Sequence, residues 1–175
     1  MTRYRVAAVV LIGGLTLFGA VGSTARATGK QSFSFNAPEI SGFPGGRSIA
    51  LTGGGAYNAP DFIHAGGSFD CNSNISAGLL SGCETGQGVR WDTDTVLQST
   101  TFKCTGAATE LLKAAETGDK KVVMLSDFYR AGDGNDESFT AQMIVSDTDL
   151  DPDTPGVQNI WVQQVGCGTA NVNFN

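Results

Sequence analysis

By type and spacing, the residues best suited to chemistry are the carboxylates of Ser146-Asp147-Thr148-Asp149-Leu150-Asp151-Pro152-Asp153-Thr154-Pro155-Gly156. Acids at every second position converge on one hard cation where the chain turns, because Ca²⁺ takes roughly 6 to 8 oxygen ligands from flexible loops. Calcium held by Asp147, Asp149, Asp151 and Asp153 is therefore the metal chemistry to expect, and no other cofactor is indicated. The opening D-x-D-x-D resembles the first half of an EF-hand loop. Pro152 stands where that loop turns on glycine and Gln158 where its bidentate glutamate belongs, so a true EF-hand is excluded. The competing reading is a solvated acidic turn stiffened by Pro152 and Pro155. A second tip, Gly132-Asp133-Gly134-Asn135-Asp136-Glu137, also offers oxygens. A strand of about ten residues between the two would separate them by roughly 33 Å and put them at opposite ends of a sheet.

Nucleophilic catalysis is poorly provided for. His64 is the one histidine, Asp61 lies near it, and no G-x-S-x-G elbow presents a serine. Acids for glycoside hydrolysis are plentiful, but no pair is singled out, so no catalytic residue is assigned. The four cysteines, Cys71, Cys83, Cys104 and Cys167, contain no C-x2-C pair, which argues against zinc. Their even number reads as two disulfides. Three pairings are open. The favoured one joins Cys71 to Cys83, closing a loop rich in Ser, Asn and Gly, and Cys104 to Cys167, tying the middle of the chain to its last hairpin. Loop 71–83, with Leu79 and Leu80 at its tip, would be the recognition element of an inhibitor or effector. Trp91, followed by Asp92 and Asp94, reads as a strand-end ring able to stack on a sugar face.

The elements that must position these groups are strands. Phe33 and Phe35 alternate with Ser32 and Ser34, Ile49 with Leu51, and Phe69 with Cys71 across polar neighbours, the period of half-buried strands. Glycine clusters fall between them. Further strands are expected over residues 89–91, 95–99, 101–105, 121–129, 138–146, 159–165 and 169–174. Only residues 107–117 have helix-like composition, with Leu111, Leu112 and Ala115 on one side and Gly118 as a C-cap. The expected fold is all-β, an antiparallel sandwich or small barrel, with at most one short helix and two disulfides.

Arg3 and Arg5 precede an apolar stretch over residues 6–22 that ends in Ala25-Arg26-Ala27, the pattern of a cleaved secretory signal over residues 1–27 followed by one domain over residues 28–175. The stretch is short for a bilayer span and is interrupted by glycines, so no membrane anchor is expected after cleavage. An outer-membrane barrel is set aside because the strands read as shorter than the roughly 9 to 11 residues that spanning requires. The chain of 175 residues has a formal charge of −6, and loss of the leader would remove Arg3, Arg5 and Arg26 and make it more acidic. That balance excludes the basic face that nucleic acid requires. A secreted or periplasmic, monomeric, non-catalytic binding or structural module follows, with a protein, a glycan or calcium as ligand. A small carboxylate-dependent hydrolase is the enzymatic alternative.

Overall fold

The computed structural model describes residues 29–44, 48–130 and 139–175; the leader over residues 1–27 and the acidic tip over residues 132–137 lie outside the described residues. Ten strands follow one another: β1 (Gln31–Gly42), β2 (Ser48–Asn58), β3 (Phe62–Cys71), β4 (Arg90–Leu97), β5 (Ser99–Phe102), β6 (Lys113–Glu116), β7 (Lys121–Tyr129), β8 (Phe139–Ser146), β9 (Ile160–Val162) and β10 (Gly166–Phe174). Eight of them close an antiparallel barrel in the order β1-β10-β9-β8-β7-β4-β3-β2, and β5 with β6 forms a separate two-stranded sheet. The fold is therefore all-β, and of the two architectures the alternation allowed, the barrel is the one formed. No helix occurs among the described residues.

Residues 107–117 accordingly depart from the helical expectation. They form a turn followed by β6, whose Ala115 pairs with Thr100 of β5. Leu111, Leu112 and Ala115 do not share a buried face: Ala115 is 2% exposed, whereas Leu111 and Leu112 are 78% and 65% exposed. Pairing with β5 supplies the backbone hydrogen bonds that a short isolated helix would have had to supply itself at marginal stability.

Alternation along each strand sorts residues to the inside or outside of the barrel. Phe33, Phe35, Leu51, Tyr57, Phe69, Trp91, Met124, Phe128 and Met143 point inward and are buried. Ser32, Ser34, Asn36, His64, Ser68, Asp70, Thr169, Asn171 and Asn173 point outward and are exposed. Five barrel strands run to 9–12 residues, longer than the sequence suggested. Length therefore does not argue against a membrane barrel, but polarity does, since a lipid-facing barrel is apolar outside.

Filling a small barrel with large rings requires space on the facing strands. Gly53 provides it, because a Cβ there would stand 2.8 Å from the Trp91 ring and 2.4 Å from the Gly66 carbonyl. The Trp91 indole N–H is satisfied by the Thr52 carbonyl at 3.0 Å. Closure also needs curvature, and register shifts at Asn36/Glu39, Ala37/Ile40 and Asp92/Thr95 introduce it. Pro38, which has no N–H to offer a ladder, lies within the first pair of shifts.

The weakest seam is the three-residue β9, and side chains extend it. Asn159 donates from Nδ2 to the Ala170 carbonyl at 2.9 Å and accepts from the Ala170 N–H at 2.7 Å. Gln163 accepts from the Gln142 N–H through Oε1 at 3.1 Å and donates its own N–H to the Gln142 carbonyl at 3.0 Å. Both amides thus stand in for the missing rungs of the ladder.

A second, smaller core lies outside the barrel wall. Val123, Ile144 and Trp161 point away from the interior and are covered by Phe102 and Ala115 of the β5–β6 hairpin together with Leu150, Cys104 and Cys167. The Trp161 indole donates to the Lys103 carbonyl at 2.8 Å, and its ring packs on Phe102. The hairpin is thereby held flat against the barrel, and the connection between its two strands, residues 103–112, has a fixed place.

Candidate functional site: the braced loop beside the outer disulfide

Both disulfides form, Cys71–Cys83 and Cys104–Cys167, in the favoured pairing. They belong to an oxidising compartment, extracellular or periplasmic. Their loops differ in what they present. In the 71–83 loop, Ile75 and Leu80 are 3% and 2% exposed and join the main core, while Leu79 is 37% exposed. Leu80 is thus a plug for the barrel rather than the apolar tip expected from the sequence, since burying it beside Cys83 gains more than leaving it in water.

The exposed apolar tip is on the other braced loop. Leu111 and Leu112 are the two most exposed large apolar side chains among the described residues, and they lie in neither a turn nor a strand, just before β6. Their neighbours are pinned. The Glu110 carboxylate accepts from the backbone N–H groups of Cys104 (2.5 Å), Thr105 (2.8 Å) and Gly106 (3.0 Å) and from the Thr105 hydroxyl (2.6 Å). Burial opposes the charge on Glu110, but these donors and Lys113 outweigh it and bring the carboxyl down to about 2. On the other side of the leucines, Lys113 Nζ lies 3.3 Å from Glu110 Oε1 and 3.2 Å from Asp151 Oδ1. Burial lowers the ammonium's proton affinity, but the two carboxylates raise it further, so the net shift is upward.

Cys104 anchors the start of this loop to β10 through its disulfide. Gly166 is what lets the backbone approach so closely: its φ is +133°, and a Cβ would stand 2.0 Å from the Ser41 carbonyl and 2.7 Å from that of Cys104. Beside the disulfide, Pro38, Glu39, Ser41, Gln158, Cys167, Gly168 and Thr169 line a shallow groove of about 280 Å³.

The acidic run is dispersed over several partners. Asp147 pairs with Lys120 at 3.1 Å. Asp149 accepts from the backbone N–H groups of Asp151 and Gln158 through Oδ1, closing the turn on itself. Asp151 is buried, accepts from the Thr154 hydroxyl and faces Lys113, while Asp153 is exposed. Where ligand-type atoms do gather within 4.8 Å, among the described residues, they are those of Cys104, Glu110 and Asp151. There the sulfur is already in a disulfide, and the Lys113 ammonium supplies the positive charge.

Trp91 is 1% exposed and forms part of the barrel core, so it offers no ring to a sugar. His64 is exposed on β3. Asp92 and Asp127 stand directly opposite on β4 and β7. Arg90 pairs with Asp92 and stacks over Tyr129, and the Thr140 hydroxyl donates to Asp127 at 2.8 Å. These contacts offset the repulsion expected of like charges in register.

Residue spacing alone did not reveal Leu111 and Leu112, because two leucines near alanines read as a helix face. The signal that was available is that they follow a cysteine by seven and eight positions in a segment bounded by two strands. The chain matches no protein-family model, no curated protein and no solved structure, so its activity has to be read from its own residues.

Proposed function

We propose that this protein is an extracytoplasmic recognition module and that loop 103–112 is its contact element. The observation that carries the reading is the exposure of Leu111 and Leu112 on a backbone fixed from both sides, by Glu110 and by Lys113. Exposed leucines cost solubility, and fixing them beforehand lowers the entropy lost on binding, which together favour a contact surface. A protein partner fits better than a glycan. Both tryptophans are buried, and among the described residues Phe62, with Lys30 Nζ 5.7 Å above its ring, is the one large aromatic in the set of exposed apolar side chains.

The test is retention of a partner from the native secreted fraction by the immobilised protein, compared with Leu111→Asp/Leu112→Asp. Equal melting temperatures and loss of the partner are expected. Retention unaffected by the double substitution would move the contact to another surface.

A further inference from the structure

Resting on the recognition role of loop 103–112, we infer that its partner is a secreted serine endopeptidase with an apolar primary-specificity pocket. The loop lies in that enzyme's cleft as a substrate-like inhibitor, with Leu111 in the pocket and Leu111–Leu112 as the bond presented. An endopeptidase takes a peptide outside any helix, turn or paired strand, with the side chain before the scissile bond projecting outward. Leu111 meets both conditions: it lies before β6 begins and is 78% exposed.

What sets this bond apart is the strap across it. Glu110 precedes it, Lys113 follows Leu112, and the two side chains are joined at 3.3 Å. Each is also tied to the body of the protein independently: Glu110 through the backbone of Cys104, Thr105 and Gly106, and Lys113 through Asp151 and the pairing of β6 with Phe102. Pre-ordering for adhesion needs the two leucines fixed, but a link that crosses their peptide bond does more, because it keeps the two ends together when the bond is cut.

The chemistry follows. The protease serine Oγ attacks the Leu111 carbonyl carbon, its proton passes through the enzyme's base to the Leu112 nitrogen, and the C–N bond breaks to leave an acyl-enzyme. From an ordinary substrate the amine departs and water cleaves the ester. Here the strap holds the Leu112 amine beside the ester at high effective molarity. The amine attacks, the peptide bond re-forms, the C–O ester bond breaks and the proton returns to the serine. Re-formation outruns hydrolysis, and the enzyme stays occupied.

The test measures residual hydrolysis of chromogenic peptides by chymotrypsin-, elastase-, subtilisin- and trypsin-type enzymes, with fragment masses read in parallel. The full-length disulfide-bonded protein is compared with Leu111→Arg and with Lys113→Met/Asp151→Asn, which removes the strap together with the Asp151 charge and leaves the Glu110 carboxylate on its donors from Cys104, Thr105 and Gly106. Wild type is expected to inhibit at least one apolar-pocket enzyme. Leu111→Arg should lose that inhibition by about 100-fold and gain inhibition of the trypsin type. The strapless variant should be cut between residues 111 and 112 and released. Inhibition of none of the four enzymes, cleavage of wild type at the rate of an ordinary substrate, or no switch in Leu111→Arg would overturn the inference. So would binding to neutral lipid vesicles that Leu111→Asp/Leu112→Asp abolishes. If that double substitution removes a captured partner while no enzyme is inhibited, the recognition role stands and the endopeptidase is wrong.

Discussion

Glu110 is the single side chain on which the loop depends most. Its carboxyl lies at about 2 in the folded protein against an ordinary 4.5, because the donors around it outweigh burial. A depressed acid contributes stability that is fully present above the unfolded value and is lost as pH falls through the folded one. Urea midpoints of wild type should therefore exceed those of Glu110→Gln at pH 7, and the gap should narrow from about pH 4.5 down to pH 2. A gap independent of pH over that window would show that the loop is held by packing instead. Ser126 is the opposite case. Its side chain faces the barrel interior, is completely buried, and its Oγ has no hydrogen-bond partner. Since an unsatisfied buried hydroxyl costs roughly 1 to 3 kcal/mol, Ser126→Ala should raise stability by about 1 kcal/mol in chemical denaturation.

At the scale of elements, the two disulfides and the glycines of the barrel wall carry separable costs. Cys104–Cys167 spans 63 residues and Cys71–Cys83 spans 12. On the chain-entropy account, removing the first by paired alanines should cost about 4 kcal/mol and the second about 3. Only the first should also raise proteolytic susceptibility in loop 103–112. Gly53→Ala should destabilise by about 1 to 3 kcal/mol, because the added methyl meets both the Trp91 ring and the Gly66 carbonyl; retained stability would mean that β2 and β3 part locally, since moving the ring alone leaves the carbonyl contact. The strands themselves were legible because a half-buried strand repeats every two residues, so Phe33 with Phe35 and Ile49 with Leu51 could be read directly. Closure was not legible, since a sandwich and a barrel share that period. The barrel instead depends on bulges near Pro38 and on a three-residue β9 extended by the side chains of Asn159 and Gln163, none of which leaves a periodic trace. The braced loop was hidden for a related reason. Leu111, Leu112 and Ala115 have helical spacing, and only the long-range pairing of β6 with β5 turns the two leucines out and Ala115 in. Leu80 was misplaced in the same way, because nothing local records that its loop plugs the barrel.

For the molecule as a whole, acidity and charge placement decide whether the protein responds to metal. An acidic run reads as a calcium loop when its carboxylates are free to turn toward one point. Here Asp147 and Asp151 face Lys120 and Lys113, and Asp149 closes its own turn. For calcium to gather the run it must displace two ammonium groups and undo a backbone turn. One of those ammonium groups, that of Lys113, also holds Glu110 beside the leucines, so metal binding there would loosen the recognition loop and would not simply add stability. A ligand that binds only the native state stabilises it by mass action, by about 2.7 kcal/mol at a hundredfold excess over its dissociation constant, and so raises the melting temperature. Thermal scans of the oxidised protein in millimolar Ca²⁺, Mg²⁺ and EDTA at equal ionic strength should therefore superimpose. A rise confined to Ca²⁺ would show that the 147–153 run reorganises around a cation. In that case calcium should also change the protease sensitivity of loop 103–112, since Asp151 cannot serve both the metal and Lys113.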